Sequence, residues 1–176
     1  MTKHSSFSLL SFLFVVSNLI DPSLCDWATT QRLIKDICIH TSNYNLCKSI
    51  LSRNLVSPDS SLQDITKLTM DIAVSTANFT RSTIQSLETT EKRPNVKQLL
   101  AGCEGDYNRV VTYLGSAKSA AYAGSFKQIL VFVSNANNCV LLCQNKIDNV
   151  VPRIFLKNKK MRVLFSMASY ESLVIH

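Results

Sequence analysis

The residues best equipped for chemistry are six cysteines: Cys25, Cys38, Cys47, Cys103, Cys139 and Cys143. In an oxidising compartment such a set reads as a disulfide framework. Cys38 and Cys47 flank the turn sequence Thr41–Tyr44, and a local hairpin bridge is their natural pairing. Cys103 pairs with Cys139 or Cys143. Those two stand one helical turn apart on one face, so either can approach it. On the chain-entropy account the short loop contributes about 2.6 kcal/mol and a loop of about 40 residues about 4 kcal/mol. Zinc lacks a donor set, because Cys139-x-x-x-Cys143 has the wrong spacing for a knuckle and histidines are scarce. No metal and no cofactor is expected.

Catalytic constellations are as scarce. A nucleophile–histidine site needs an imidazole placed in a pocket. The three histidines are His4, near the start, His176, the last residue, and His40, which sits at a predicted helix end and reads as a surface or capping residue. Glu104 and Asp106 are two apart and point different ways on a helix. Asp64 and Asp71 share a face and read as solvated. There is no phosphate-cradling glycine loop and no GxSxG. The chain therefore reads as a binder of another protein, with no catalytic residues. One modification motif stands out: Asn78-Phe79-Thr80, an N-glycosylation acceptor. Lys157-Asn158-Lys159-Lys160 reads as a solvated loop, with docking to an acidic partner as its functional alternative.

These residues need elements to hold them, and an address. Lys3 and His4 followed by the apolar stretch Phe7–Val16 read as a secretory leader, too short to span a bilayer. Cleavage is placed after Cys25, with Ser17 as the alternative, giving a leader 1–25 and a mature domain 26–176 with no membrane segment. Five cysteines then remain, so one thiol is left over. Losing 1–25 removes one cation, Lys3, and one acid, Asp21, and the net charge stays at +7. An exported cation of this size is drawn to acidic surfaces, such as a polyanionic polysaccharide or an acidic protein. Export argues against nucleic acid.

Hydrophobic residues make up 46% of the chain, enough for a core, while Gly and Pro number only four each. Few turn residues mean long helices with few loops. Apolar spacing predicts helices over Thr29–Ile39 and Asn45–Arg53, which form a hairpin over about 28–55. Beyond the Pro58 break, a bundle occupies about 60–175. Its first helix is capped by Ser60 with Gln63 and carries the stripe Leu62, Ile65, Leu68/Thr69, Ile72, Thr76, Phe79, Thr83 and Leu87. The second starts at Pro94 or Asn95 and carries the stripe Val96, Leu99/Leu100, Cys103, Tyr107, Val110/Val111 and Leu114. After the corner Ala123-Gly124-Ser125, the third spans Phe126–Ile147 and buries Phe126, Ile129/Leu130, Val133, Ala136 and Val140, with Cys143 near the same face. The last runs over Asn158–Val174. Short links give an all-α, up-down-up-down four-helix bundle.

Several of these stretches resemble the plant invertase/pectin methylesterase inhibitor family. Leu33-Ile34-Lys35-Asp36-Ile37-Cys38 with Cys47 and Leu51 looks like its opening, and Cys103-Glu104-Gly105-Asp106-Tyr107-Asn108 like its central motif. Gly124-Ser125-Phe126 resembles the family's Gly-Asp-Tyr corner. The likeness covers about 28–175. It implies a bundle preceded by a helical hairpin, bridges Cys38–Cys47 and Cys103–Cys143, and Cys139 as the free thiol. It also implies a secreted protein of the apoplast or cell wall, or of the vacuole. Its partner would be plant pectin methylesterase, occluded by the bundle's face, or acid invertase, blocked by the corner. Tyr122, Phe126, Lys127 and Gln128 would be the corner's contact residues. The Pro-Lys-Phe sequence of some invertase inhibitors is absent there, which favours the methylesterase.

Overall fold

A computed structural model describes residues 22–55, 57, 59–147 and 150–175. The expected leader lies outside the described residues up to position 21, as do Val56 and Pro58 of the expected break. The described residues form six helices: α1 (Pro22–Ile39), α2 (Tyr44–Asn54), α3 (Leu62–Thr90), α4 (Pro94–Tyr122), α5 (Phe126–Ile147) and α6 (Pro152–Val174). Among these residues there is no strand. In the bundle, α3 packs on α4, α4 on α5, α5 on α6 and α6 on α3, closing a ring. Cross-helix bonds show that neighbours run antiparallel: Gln85 meets Glu104 near the α3–α4 link, and Asp71 meets Tyr122 at the far end. α1 and α2 form the hairpin, which rests on α6 and, through α2, on α3.

Helix ends follow local chemistry. Asn43 caps α2, its Oδ1 accepting from the Leu46 N–H at 3.0 Å. The capping box of α3 is Ser61 with Asp64, one residue beyond the expected Ser60–Gln63 pair. The shorter Asp64 carboxylate reaches both the Ser61 N–H and the Ser61 hydroxyl. Those bonds hold the Asp64 carboxyl below its ordinary range. Proline begins both α4 and α6. α6 therefore starts at Pro152, and Lys157–Lys160 lies inside it instead of in a loop.

The buried face of α4 carries Val96, Leu100, Cys103, Tyr107, Val110 and Leu114, and that of α5 Phe126, Ile129, Val133, Ala136, Val140 and Cys143; of the expected alternatives, Leu99, Val111 and Leu130 are only partly buried. On α3 the buried residues are Ile65, Thr66, Thr69, Met70, Ala73, Ala77, Thr80 and Ile84. That face is turned by about one residue from the expected stripe, roughly 100° on a helix of 3.6 residues per turn. Phe79 is consequently 65% exposed. The reason is steric: alanine and threonine let α3 approach its neighbours closely, and each Thr hydroxyl is satisfied by a carbonyl one turn back or by a side chain across the interface. α5 is long and apolar enough to cross a membrane by length and composition, which the sequence reading did not anticipate; its inner face is packed into the bundle.

Candidate functional site

The corner between α4 and α5 is closed by backbone bonds. The Ser125 N–H donates to the Ala120 carbonyl at 2.8 Å, and the Gly124 N–H to the Ala121 carbonyl at 3.3 Å. This paired closure needs a left-handed residue, and Gly124 supplies it at φ 72°. Around it the four candidate contact residues separate. Lys127 and Gln128 are exposed. Tyr122 is 56% exposed, but its hydroxyl donates to Asp71 Oδ2 of α3 at 2.8 Å. Phe126 is only 5% exposed and belongs to the core. Lys118 Nζ lies 2.7 Å from the other Asp71 oxygen, so one carboxylate ties two α4 side chains to α3. Hydrogen bonding to Asp71 pushes the Tyr122 phenol up, with burial adding to it. The corner is braced by these bonds, and Lys127 and Gln128 stand exposed at its tip.

Beside the corner runs an open groove between α4 and α5, lined by Thr112, Gly115, Ser116, Ser119, Gln128 and Phe132. The Thr112, Ser116 and Ser119 hydroxyls each donate to the carbonyl one turn back, which keeps this face smooth and polar. On the opposite flank of α4, Gln85 Nε2 donates to Glu104 Oε1 at 2.7 Å across the α3–α4 surface. The outer surfaces of α3 and α4 therefore present short hydroxyls and amides, suited to shape-complementary contact with a protein.

This surface is rigid because of what lies beneath. Tyr107 of α4 is fully buried, and its hydroxyl donates to Asn158 Oδ1 of α6 at 2.7 Å. Asn158 Nδ2 donates in turn to Cys143 Sγ of α5 at 3.8 Å. Thr80 of α3 approaches the same phenol, so one polar node touches all four bundle helices. Burial raises the Tyr107 phenol above its ordinary range. A second node is Asp106, 1% exposed, with Arg109 Nη2 at 2.6 Å and Lys146 Nζ at 2.5 Å. Gly102 makes room for it: a Cβ there would lie 3.3 Å from Lys146 Cδ. A third is Glu171 of α6, wholly buried, accepting from Thr69 Oγ1 of α3 at 2.9 Å. Burial drives its carboxyl up to about 8, against the smaller opposing pull of Thr69 and Thr66. None of these nodes carried a sequence signal, because apart from the Asp106–Arg109 pair within α4 each is closed by a partner on another helix.

The bridges are Cys38–Cys47, within the hairpin, and Cys103–Cys143, joining α4 to α5. Cys139 is free and buried, and burial pushes its thiol up, which keeps it protonated and unreactive. His40 is exposed, with Nδ1 2.8 Å from the Asp36 carbonyl and its ring stacked on Tyr170 at 4.0 Å. Tyr170 in turn donates to Asp36 Oδ2, so this cluster fastens the hairpin to α6. Asn78 is half-buried and donates to the Val74 carbonyl, while Thr80 of the same acceptor motif is fully buried.

A family model described as plant invertase/pectin methylesterase inhibitor matches residues 32–170, most of the chain. The chain belongs to that family. Among curated relatives, a pectinesterase inhibitor of Actinidia deliciosa is 26% identical over 140 residues, covering 80% of this chain and 74% of its own. Pectinesterase inhibitor 2 of Arabidopsis thaliana is 26% identical over 144 residues, covering 82% and 79%. Among solved structures, a mutant form of an Arabidopsis pectin methylesterase inhibitor superposes with a TM-score of 0.71 at 22% identity, over 78% of this chain and 93% of that one. A second Arabidopsis pectin methylesterase inhibitor gives 0.64 at 22% identity, over 82% and 97%. At that identity the structures speak for the fold: a disulfide-stapled all-α bundle behind a helical hairpin.

Proposed function

We propose that the mature chain inhibits a plant pectin methylesterase by reversible one-to-one steric occlusion of the enzyme's active-site cleft. The observation that carries this is the family match across residues 32–170, joined by two curated relatives that bear the name pectinesterase inhibitor. The molecule's physics supports it. Occlusion asks for a rigid convex surface, and the buried nodes at Tyr107, Asp106 and Glu171 supply the rigidity. The polar outer faces of α3 and α4 supply the surface. The same features weigh against insertion of the corner into an invertase, since Phe126 is locked in the core and Tyr122 is tied to Asp71. Residues 1–25 act in this reading as an export leader, and the mature protein works in the apoplast or cell wall.

Assay of purified mature protein against plant pectin methylesterase and acid invertase, at mildly acidic pH, tests the proposal. Stoichiometric, reversible loss of methylesterase activity is the expected result. Full methylesterase activity at micromolar protein would overturn it, and loss of invertase activity alone would transfer the function to the corner. In that second case Lys127→Glu should weaken the inhibition.

A further inference from the structure

α6 carries five cations within ten residues, Arg153, Lys157, Lys159, Lys160 and Arg162, and its one carboxylate, Glu171, is buried. Among the described residues none of the five is in an ion pair. Three of them, at i, i+4 and i+7, line the edge of α6 next to α3, spread over about 10 Å of helix rise. They crowd one another: desolvation first, then Arg153 and Lys160, pull the Lys157 ammonium down. Such uncompensated repulsion is relieved when an anion binds.

The neighbouring surface is equally unusual. Phe79 of α3 is 65% exposed, and Lys157 Nζ sits 3.9 Å from its ring centroid. One turn along each helix, Lys160 lines an open trough with Ile72, Ser75 and Thr76. Asp71, the carboxylate in that trough, is already paired with Lys118. An exposed aromatic ring, two hydroxyl-bearing residues and three unpaired cations thus lie in one continuous strip. A ligand fitting the strip is a ring-shaped polyol with regularly placed carboxylates. The sugar ring packs against the exposed part of Phe79 that Lys157 does not cover, its hydroxyls meet Ser75 and Thr76, and its carboxylates meet the cations.

We infer that the α3–α6 strip Arg153–Lys157–Lys160 with Phe79 is a binding site for an acidic polysaccharide, a de-esterified polyuronate chain. The choice of a uronate among polyanions rests on the proposed enzyme partner, because hydrolysing the methyl esters of a polyuronide exposes carboxylates. The site would hold the inhibitor on the enzyme's own product, on the α3–α6 edge and apart from the α4–α5 groove, with Asp71 as the residue it shares with the bracing of the corner.

The test uses the mature protein and immobilised polygalacturonate, with fully methyl-esterified pectin as the uncharged counterpart. The wild type should retain polygalacturonate and not the esterified polymer, and lose it as salt rises. Charge reversal at Arg153→Glu, Lys157→Glu and Lys160→Glu should weaken binding at least about tenfold, and Phe79→Ala should weaken it by a smaller factor. An equal change in net charge on the hairpin, Lys35→Glu, Lys48→Glu and Arg53→Glu, should weaken it far less. The neutral set Arg153→Gln, Lys157→Gln and Lys160→Gln repeats the measurement if the reversed set fails to melt cooperatively. Equal losses in the α6 and hairpin sets would reduce the effect to net charge and overturn the site. So would undiminished binding by the α6 set, or equal affinity for duplex DNA. Loss of methylesterase inhibition by the α6 set would assign the strip to the enzyme interface and likewise overturn it. Strip-dependent polygalacturonate binding by a protein that inhibits no methylesterase would instead keep the site and remove the inhibitor reading.

Discussion

Glu171 is a carboxyl that keeps its proton where exposed carboxyls have lost theirs. Its ordinary value is 4.5, and burial lifts it to about 8 in the fold. Below about pH 4.5 folded and unfolded chains both carry the proton, and the contribution to stability is full. Between there and about 8 the unfolded chain releases it while the fold retains it, so stability falls as pH rises and levels off above. The wild type should therefore lose several kcal/mol from pH 5 to pH 8 in urea titrations, of the order set by such a shift. Glu171→Gln, which keeps the shape and the Thr69 contact, should flatten that dependence; parallel curves for the two proteins would refute it. Side chains like this were the least legible in the sequence. Asn158 sits in a lysine run that reads as solvent-facing, yet its amide points inward to Tyr107 while Lys159 stays outside. Asp71 reads as a solvated acid, and its partners Lys118 and Tyr122 are remote in the chain.

Among the elements, legibility followed side-chain size. α4 and α5 bury large apolar residues at regular spacing, and their inner faces could be read directly. α3 buries alanine and threonine while leaving Phe79 outside, so a hydrophobicity count chose the wrong face. The α4–α5 corner was readable as a place, because a glycine between two apolar runs marks a helix end. Its bracing was not, since Asp71 belongs to another helix. Gly124 has open space around its Cα, so only its positive φ restricts substitution. Gly124→Ala should therefore cost about 1 kcal/mol. A matched loss in thermal melts, with the α-helical circular dichroism intact, is the expected signature. No loss would mean the corner relaxes to another closure.

The whole molecule is a ring of four helices in which covalent ties are unevenly shared. One bridge lies inside the hairpin and the other joins α4 to α5, while α3 and α6 are held by packing and by non-covalent bonds, among them Tyr107–Asn158, Thr69–Glu171 and the ties of Asp71 to Lys118 and Tyr122. This asymmetry suits the division of labour proposed above: the stapled pair frames the corner, and the α3–α6 edge carries the cations. The family likeness was legible because the cysteine spacing and the corner glycine are local sequence features that need no knowledge of tertiary contacts.

Cys139 sits one helical turn before Cys143, on the same inward side of α5. During renaturation from a fully reduced chain, both sulfurs compete for Cys103 before the helices have docked, and a mismatched isomer must reshuffle through slow exchange. Preparations made from inclusion bodies should accordingly contain a trapped, non-native fraction. Cys139→Ala should raise the recovered yield of native monomer without altering its melting temperature by more than a few degrees. Identical yields for both chains under the same redox buffer would show that helix docking, not thiol competition, limits recovery.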